Sequence, residues 1–402
     1  MAITITDSPA AYASLHDDLW FVSTSTNSGT TNFKFIYDIR INGNIVSTVK
    51  VFPDPSGSVG IFNASPIARA YVTNYFEPSG SSILVASNDK IKVTYNVAVG
   101  EEVTGTITRN MASGEFSSYN YYPPLFADIL AVNENTPLVL SNYYDNLLIE
   151  NFSDDWLTER NTDDIDIEYG DNFYATYFKK TGGTYSAWVE VVDASEQVLT
   201  TVSGNITLSG EMNLFNLQAE HVNTWAGSSI ITSSTYGYNF YLKRGVAVSR
   251  VLKIRQKCYP KFKQYNLHFL NRLGGWDTMK FALVNRRSSE FQRSSYRRND
   301  WQLSGNQMKN VDSYNRYNET ALNYAIQHKD RFHLISDWVT EQDYTWLAQL
   351  VSSSICYIEV LGAYFPVTVT SNNYSYKVAN ADKLFNFEID IEVSKYLNSQ
   401  FR

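Results

Sequence analysis

Cysteine, histidine and charge are all scarce in this chain: 2 cysteines and 5 histidines in 402 residues, with 18% of side chains charged. Cys258 and Cys356 are too few for a disulfide framework and lack the spacing of a zinc or redox motif, so two reduced, buried thiols are expected. No stretch approaches the roughly 18 consecutive apolar residues that a membrane helix needs. Residues Met1 to Leu19 carry Asp7, Asp17 and Asp18 where a secretory signal would carry Lys or Arg. Neither a membrane-spanning chain nor a signal-bearing one is expected. Charge lies below the roughly 25% of ordinary soluble domains, yet 44% of residues are hydrophobic, which excludes a largely disordered chain.

Catalytic signatures are missing too. There is no Gly-x-Gly-x-x-Gly, no Walker loop and no Gly-x-Ser-x-Gly, so nucleotide binding and serine hydrolysis lose their usual supports. His328 and His333 are five apart, too far for a helical zinc pair, while His16, His221 and His268 stand alone. The run Asp163, Asp164, Asp166, Glu168, Asp171 fails as an EF-hand. Its Gly170 falls one place late, the twelfth position is Ala175, and the intervening Ile165, Ile167 and Tyr169 want burial. A strand with an acidic outer face is the better reading. Glycosidase carboxylates are set by spatial separation, on which sequence spacing is silent. No catalytic, cofactor or metal residues are therefore singled out, and no enzyme is expected.

What the chain does have is aromatics: 8 Trp, 29 Tyr and 22 Phe, a composition that favours strands. Phe33, Phe35, Tyr37, Ile39 and Ile41 alternate with Lys34, Asp38, Arg40 and Asn42, the pattern of a half-buried strand. Asn42-Gly43-Asn44 then turns into a second strand from Ile45 to Phe52. Ser65 is placed to cap a short helix opened by Pro66, and strands near 82–86 and 90–108 complete a sandwich-sized unit. Tyr121-Tyr122-Pro123-Pro124 marks a boundary. Strands at 165–169, 173–179, 185–192, 197–202 and 238–243 make a second β-unit. A hairpin follows, with Tyr265, Leu267 and Phe269 leading through Arg272-Leu273-Gly274-Gly275 into Trp276 to Val284. Thr340 with Asp343 forms a capping box before the helical stripe Trp346, Leu347, Leu350 and Val351, and strands at 355–361, 364–370, 374–378 and 384–393 close the chain. The expected fold is mainly β: sandwich-like domains at 1–115 and 125–249, then a C-terminal α+β domain at 250–402 with a hairpin at its start.

The net charge of −8 conceals segregation. Residues 1–239 hold 10 basic and 27 acidic side chains, 240–332 hold 19 and 6, and 333–402 hold 4 and 8. Within the basic block, Arg286, Arg287, Arg293, Arg297 and Arg298 interleave with Phe291 and Tyr296, a composition suited to phosphate neutralisation and base stacking. A net-acidic protein argues instead that this block docks on the acidic segment of the same or a neighbouring chain. These five arginines, with Trp276, are the candidate interface. Nucleic acid is the less favoured partner. Exposed aromatics could also stack on sugar rings, which keeps a glycan-binding module open, and a carbohydrate-active enzyme behind it.

The stretch from Asn266 to Phe281, Asn-Leu-His-Phe-Leu-Asn-Arg-Leu-Gly-Gly-Trp-Asp-Thr-Met-Lys-Phe, resembles a recurrent segment in structural proteins of tailed bacteriophages infecting Bacteroidota and marine bacteria. The C-terminal helix, with Tyr364-Phe365-Pro366-Val367-Thr368-Val369 and Tyr374-Ser375-Tyr376-Lys377, is similar to the closing domain of phage distal-tail and baseplate-type proteins. The resemblance covers about the last 150 residues and carries no catalytic residue. It implies a structural virion protein of the tail or neck, made in host cytoplasm and interlocking with copies of itself and other virion proteins. Ring symmetry follows from the resemblance and from the tendency of soluble oligomers to close.

Overall fold

The computed structural model describes residues 3–9, 13–72, 76, 78, 82–88, 92–122, 154–180, 182–258, 261–297, 301–310, 321–371, 384–395 and 397–401. The chain forms two compact units, Met1–Cys258 with Leu270–Thr278, and Tyr259–Phe269 with Met279–Arg402. The protein is mainly β, with two sandwich-like bodies in the first unit and an α+β second unit. Strands are numbered in chain order.

The first sandwich sets a three-stranded sheet, β1 (Ile3–Asp7), β3 (Trp20–Ser25) and β6 (Val59–Asn63), against a larger one. The larger sheet runs β2 (Ala13–Ser14), β10 (Phe116–Tyr119), β8 (Lys92–Val103), β4 (Lys34–Ile41), β5 (Asn44–Val51), with β9 (Thr106–Ala112) also on β8. Phe21 and Phe62 from one sheet meet Phe35, Tyr37, Tyr95 and Val97 from the other in a single core. The β4–β5 turn is as expected: Asn42 and Gly43 both have positive φ, 52° and 78°, in the mirror-image turn that matches strand twist. The expected polar outer face of β4 is not exposed, because Ile36 and Asp38 are fully buried. Thr48, from the neighbouring β5, and Arg109, from β9, donate to Asp38 at 2.5 Å each. Ser65 does not cap. It lies inside α1 (Ser65–Ala68), and its hydroxyl donates to the Leu15 carbonyl at 2.6 Å.

The second sandwich pairs the sheet β11 (Asp155–Trp156), β13 (Tyr174–Phe178), β16 (Met212–Asn216), β7 (Leu84–Asn88) with the sheet β12 (Ile165–Ile167), β19 (Leu252–Gln256), β17 (Gly237–Arg244), β14 (Tyr185–Val192), β15 (Val198–Ile206). β18 (Ala247–Val248) adds to β17, and α2 (Ala219–Ala226) packs Val222 into the core. Trp156 is the hub, edge-on to Tyr177 and Phe215 at 5.1 and 5.3 Å. β7 departs from expectation: it pairs with β16 of this sandwich and takes no place in the first. Glu211 ties the two bodies together, accepting from Tyr119 at 2.5 Å and Lys92 at 2.9 Å. Tyr121 is buried, and the Tyr122 amide donates to the Arg272 carbonyl, so the described part of the expected boundary is packed.

The second unit is an eight-stranded sheet in the order β21 (Trp276–Phe281), β20 (Tyr265–Leu270), β26 (Cys356–Val360), β27 (Ala363–Val369), β28 (Leu384–Val393), β25 (Ala321–Thr340), β22 (Arg286–Arg297), with β29 (Leu397–Phe401) on β25. The turn of the β20–β21 hairpin, Leu270–Thr278, belongs to the first unit. Every residue of β20 and β21 is buried, the polar ones included, so this is not the one-sided hairpin the alternation suggested. α3 (Glu341–Ser352) packs Trp346, Leu347 and Leu350 on the sheet, with Trp346 5.5 Å from Phe269. Its Thr340 cap forms as expected, accepting from the Asp343 amide. The strand expected at 374–378 lies outside the described residues.

Candidate interaction surface

The basic block is divided between the units. Six of its cations are bound inside the first unit by acids far back in the sequence. Arg244 meets Asp154, Arg250 meets Asp155, Lys253 meets Asp163, Arg255 meets Glu196, Lys257 meets Asp166 and Arg272 meets Glu159, all at 2.5–3.0 Å. The acidic run therefore serves as strand β12 and its flanks, meeting Lys253 of its parallel neighbour β19 and Lys257 just beyond that strand. Burial holds the Asp166 carboxyl above its usual range, with Lys257 acting in the opposite direction. Among the described residues no group of three or more His, Cys, Asp or Glu is placed to hold a metal, and no helix is long and apolar enough to cross a membrane. By units, the charges are 17 basic against 28 acidic in the first, and 16 against 13 in the second.

The longest exposed stretch of the block is β22. All its residues except Ser294 are exposed, and it lies antiparallel to β25 from Arg286↔His333 to Arg297↔Ala321. The passage that looked aperiodic is thus a twelve-residue strand whose conformation is set by its partner. Alternation places Arg287, Ser289, Phe291 and Arg293 on one face and Arg286, Ser288 and Glu290 on the other. Arg287 and Ser289 both bond Asp330 of β25 at 2.5 Å, and Arg293 lies over Phe291, 5.7 Å from its centroid. On the opposite face Glu290 takes Arg331 at 2.5 Å. Although burial opposes it, the bonds from Ser289 and Arg287 hold Asp330 below the usual carboxylate range. Lys329, bonding Glu392 at 2.9 Å, does the same for that carboxyl.

Of the candidate interface residues, Arg286, Arg287, Arg293 and Arg297 thus share one exposed strand. Arg298 lies outside the described residues. Trp276 does not join them: it is 5% exposed, its ring 4.7 Å from Phe76 and its amide bonded to Thr176. Sequence reasoning missed two features. Tyr324, half exposed on β25, lies 6.2 Å from Tyr296. The small hairpin β23 (Trp301–Ser304) and β24 (Gln307–Asn310), which among the described residues pair only with each other, places Trp301, Leu303 and Met308 on one face, all more than half exposed. Leu303 and Met308 flanking Ser304-Gly305-Asn306-Gln307 was the available signal, a Gly turn between apolar residues.

Three of the histidines are held by polar partners. His268 is fully buried 3.2 Å from Glu359, His16 bonds Asn120 and stacks on Tyr122, and His333 bonds Asp390 at 2.8 Å. Trp188 and Tyr241 lie parallel on the outer face of the second sandwich, but the Lys243 ammonium covers the Trp188 ring at 3.8 Å.

No protein-family model matches the chain, and no curated protein matches it. Among solved structures, the chain is similar to the FN1–FN3 domains of chicken CNTN1, at 9% identity and a TM-score of 0.18, over 63% of this chain and 67% of that one. It is also similar to dimeric latent PorU from Porphyromonas gingivalis, at 12% identity and a TM-score of 0.15, over 64% of this chain and 20% of that one. At such TM-scores neither likeness carries an argument.

Proposed function

We propose that the protein is a structural virion component of a phage tail or neck, an interlocking subunit of a homo-oligomeric ring assembled in the host cytoplasm. Its work is contact and not reaction. One observation carries the reading: a twelve-residue strand bearing four arginines and two half-exposed aromatics stands at the rim of the second unit. A surface combining Arg with Phe and Tyr is the composition that protein interfaces concentrate. Six other cations of the block are already consumed inside the first unit, so this strand is where the basic block meets an acidic face on a neighbour. The resemblance of the hairpin and of the C-terminal helix and strands to phage tail proteins supplies the biological setting.

Mass photometry and negative-stain images at low salt test it. Closed oligomers that shrink or dissociate as salt rises are expected, because exposed charge pairs are screened over about 10 Å at 0.1 M. A protein that stays monomeric at micromolar concentration in low salt would overturn it.

A further inference from the structure

The eight-stranded sheet ends on β22, and among the described residues that strand pairs with β25 alone. Its outer edge presents a row of backbone N–H and C=O groups, a template for one more strand. Edges are guarded against such pairing by shortness, Pro, a bulge or charged side chains, and β22 has only the last, a guard that an oppositely charged strand answers. β22 has twelve residues and no Pro, and the register shift beside Ser294 and Ser295 skips Tyr324 on β25, leaving β22 unbroken. At its middle stands Phe291, 49% exposed.

We propose that β22 takes an extended, acidic segment of a partner protein as the ninth strand of this sheet. Charge selects the occupant. The strand holds Arg286, Arg287, Arg293 and Arg297 against Glu290 alone. In an antiparallel pair of two copies, a two-fold axis at Phe291 leaves Arg293 opposite Ser289 and Glu290 opposite Gln292, while an axis at Gln292 sets Arg287 against Arg297. Neither register forms an ion pair, and the second opposes like charges. An acidic strand answers the pattern directly. Arg287 and Arg293 share a face with Phe291 between them, and Arg286 lies on the other face. An antiparallel partner therefore has carboxylates at its first, seventh and eighth positions and an apolar residue at its third. Arg287, although bonded to Asp330, keeps 56% of its side chain exposed for this contact. The recognition mode is strand addition, in which main-chain bonds supply affinity and side chains choose the sequence. It shares with the virion reading the expectation that this face meets acidic protein, and differs in requiring main-chain pairing.

The test uses the full chain and the end-capped peptide Glu-Thr-Val-Thr-Thr-Thr-Glu-Glu, followed by hydrogen exchange. At saturation, alternate amides between Arg286 and Arg293 should slow at least tenfold, and a Lys-for-Glu peptide should slow none. The double substitution Arg286→Glu, Arg293→Glu should weaken peptide binding at least tenfold while β20 and β26 keep their protection; if they lose it, Arg286→Gln, Arg293→Gln takes its place. Absence of peptide binding at millimolar concentration, binding that leaves the β22 amides exchanging, or equal binding of the Lys peptide would each overturn the proposal. So would tighter binding of a twelve-residue oligothymidine, which would make the surface a nucleic-acid groove. Rings that assemble with β22 still exchanging freely would refute strand addition and spare the assembly reading. Peptide capture by a chain that never assembles would do the reverse.

Discussion

Arg250 and Asp155 hold each other and the entry to the second sandwich: the Arg250 Nε donates to Asp155 Oδ2 at 2.7 Å and its backbone amide to Oδ1 at 3.0 Å. The same guanidinium reaches the carbonyls of Trp156 and Thr158, and the Trp156 indole returns a bond to the Arg250 carbonyl. Asp155 is 3% exposed, so removing its partner strands a buried charge. Arg250→Ala should cost about 3–5 kcal/mol, read as a lower urea midpoint. Arg250→Lys, which has no planar fork, should recover only part of it.

Gly275 is where the β20–β21 turn passes close to backbone. A Cβ there would lie 2.6 Å from the Leu157 carbonyl oxygen and 2.8 Å from the Leu157 Cβ. Gly275→Ala should destabilise by about 1–3 kcal/mol, measured by thermal unfolding. Gly114→Ala, with open space around its Cβ, is the control and should be near neutral.

Thr340 caps α3 by accepting from the Asp343 amide, while its hydroxyl donates to the Asp343 carboxylate at 2.8 Å. Thr340→Ala should cost about 1 kcal/mol and Thr340→Ser much less. Hydrogen exchange in the first turn of α3 would show the same ranking.

The two thiols should behave differently. Cys258 is exposed, whereas Cys356 is buried and its pKa is pushed up to about 12. Because the thiolate is the nucleophile, a thiol reagent at pH 8 should label one cysteine per folded chain, with Cys258 the labelled site by peptide mapping. Labelling of Cys356 should require unfolding.

Acid should loosen the second unit around β25. Glu392 and Asp330 have folded pKa values below their ordinary 4.5 and 3.8. A depressed carboxylate contributes stability that is present above its unfolded pKa and lost as pH falls through the folded one. Unfolding midpoints should therefore fall as pH drops below about 4.5. Glu392→Gln should flatten that dependence.

Sequence reading reached the features governed by neighbours in the chain. Asn42-Gly43 dictates its turn because both residues accept positive φ, and the Trp346, Leu347, Leu350 stripe with a Thr340 cap dictates α3. It did not reach features governed by distant partners. β22 has too many Ser and Arg residues to read as a strand, and it becomes one because β25 offers a matching ladder. Ser65 has the identity of a cap, yet the nearby Leu15 carbonyl claims its hydroxyl. Of the candidate surface, the arginines were legible from composition, but Trp276 was misjudged: the same aromatic character that suits an interface had placed it in a core. Nor does any local pattern announce that Arg250 will find an acid 95 residues earlier.

The pairing of β7 with β16 also sets a timetable. Asn88 lies opposite Met212, so at about 5–20 residues per second a ribosome needs about 6–25 s to supply the partner after β7 has been made. Ile83 and Leu84, which end in the second core, have no place to go during that interval. The first sandwich can therefore close with this segment left outside it, while the second cannot seat β7 until β16 arrives, however early β7 was synthesised.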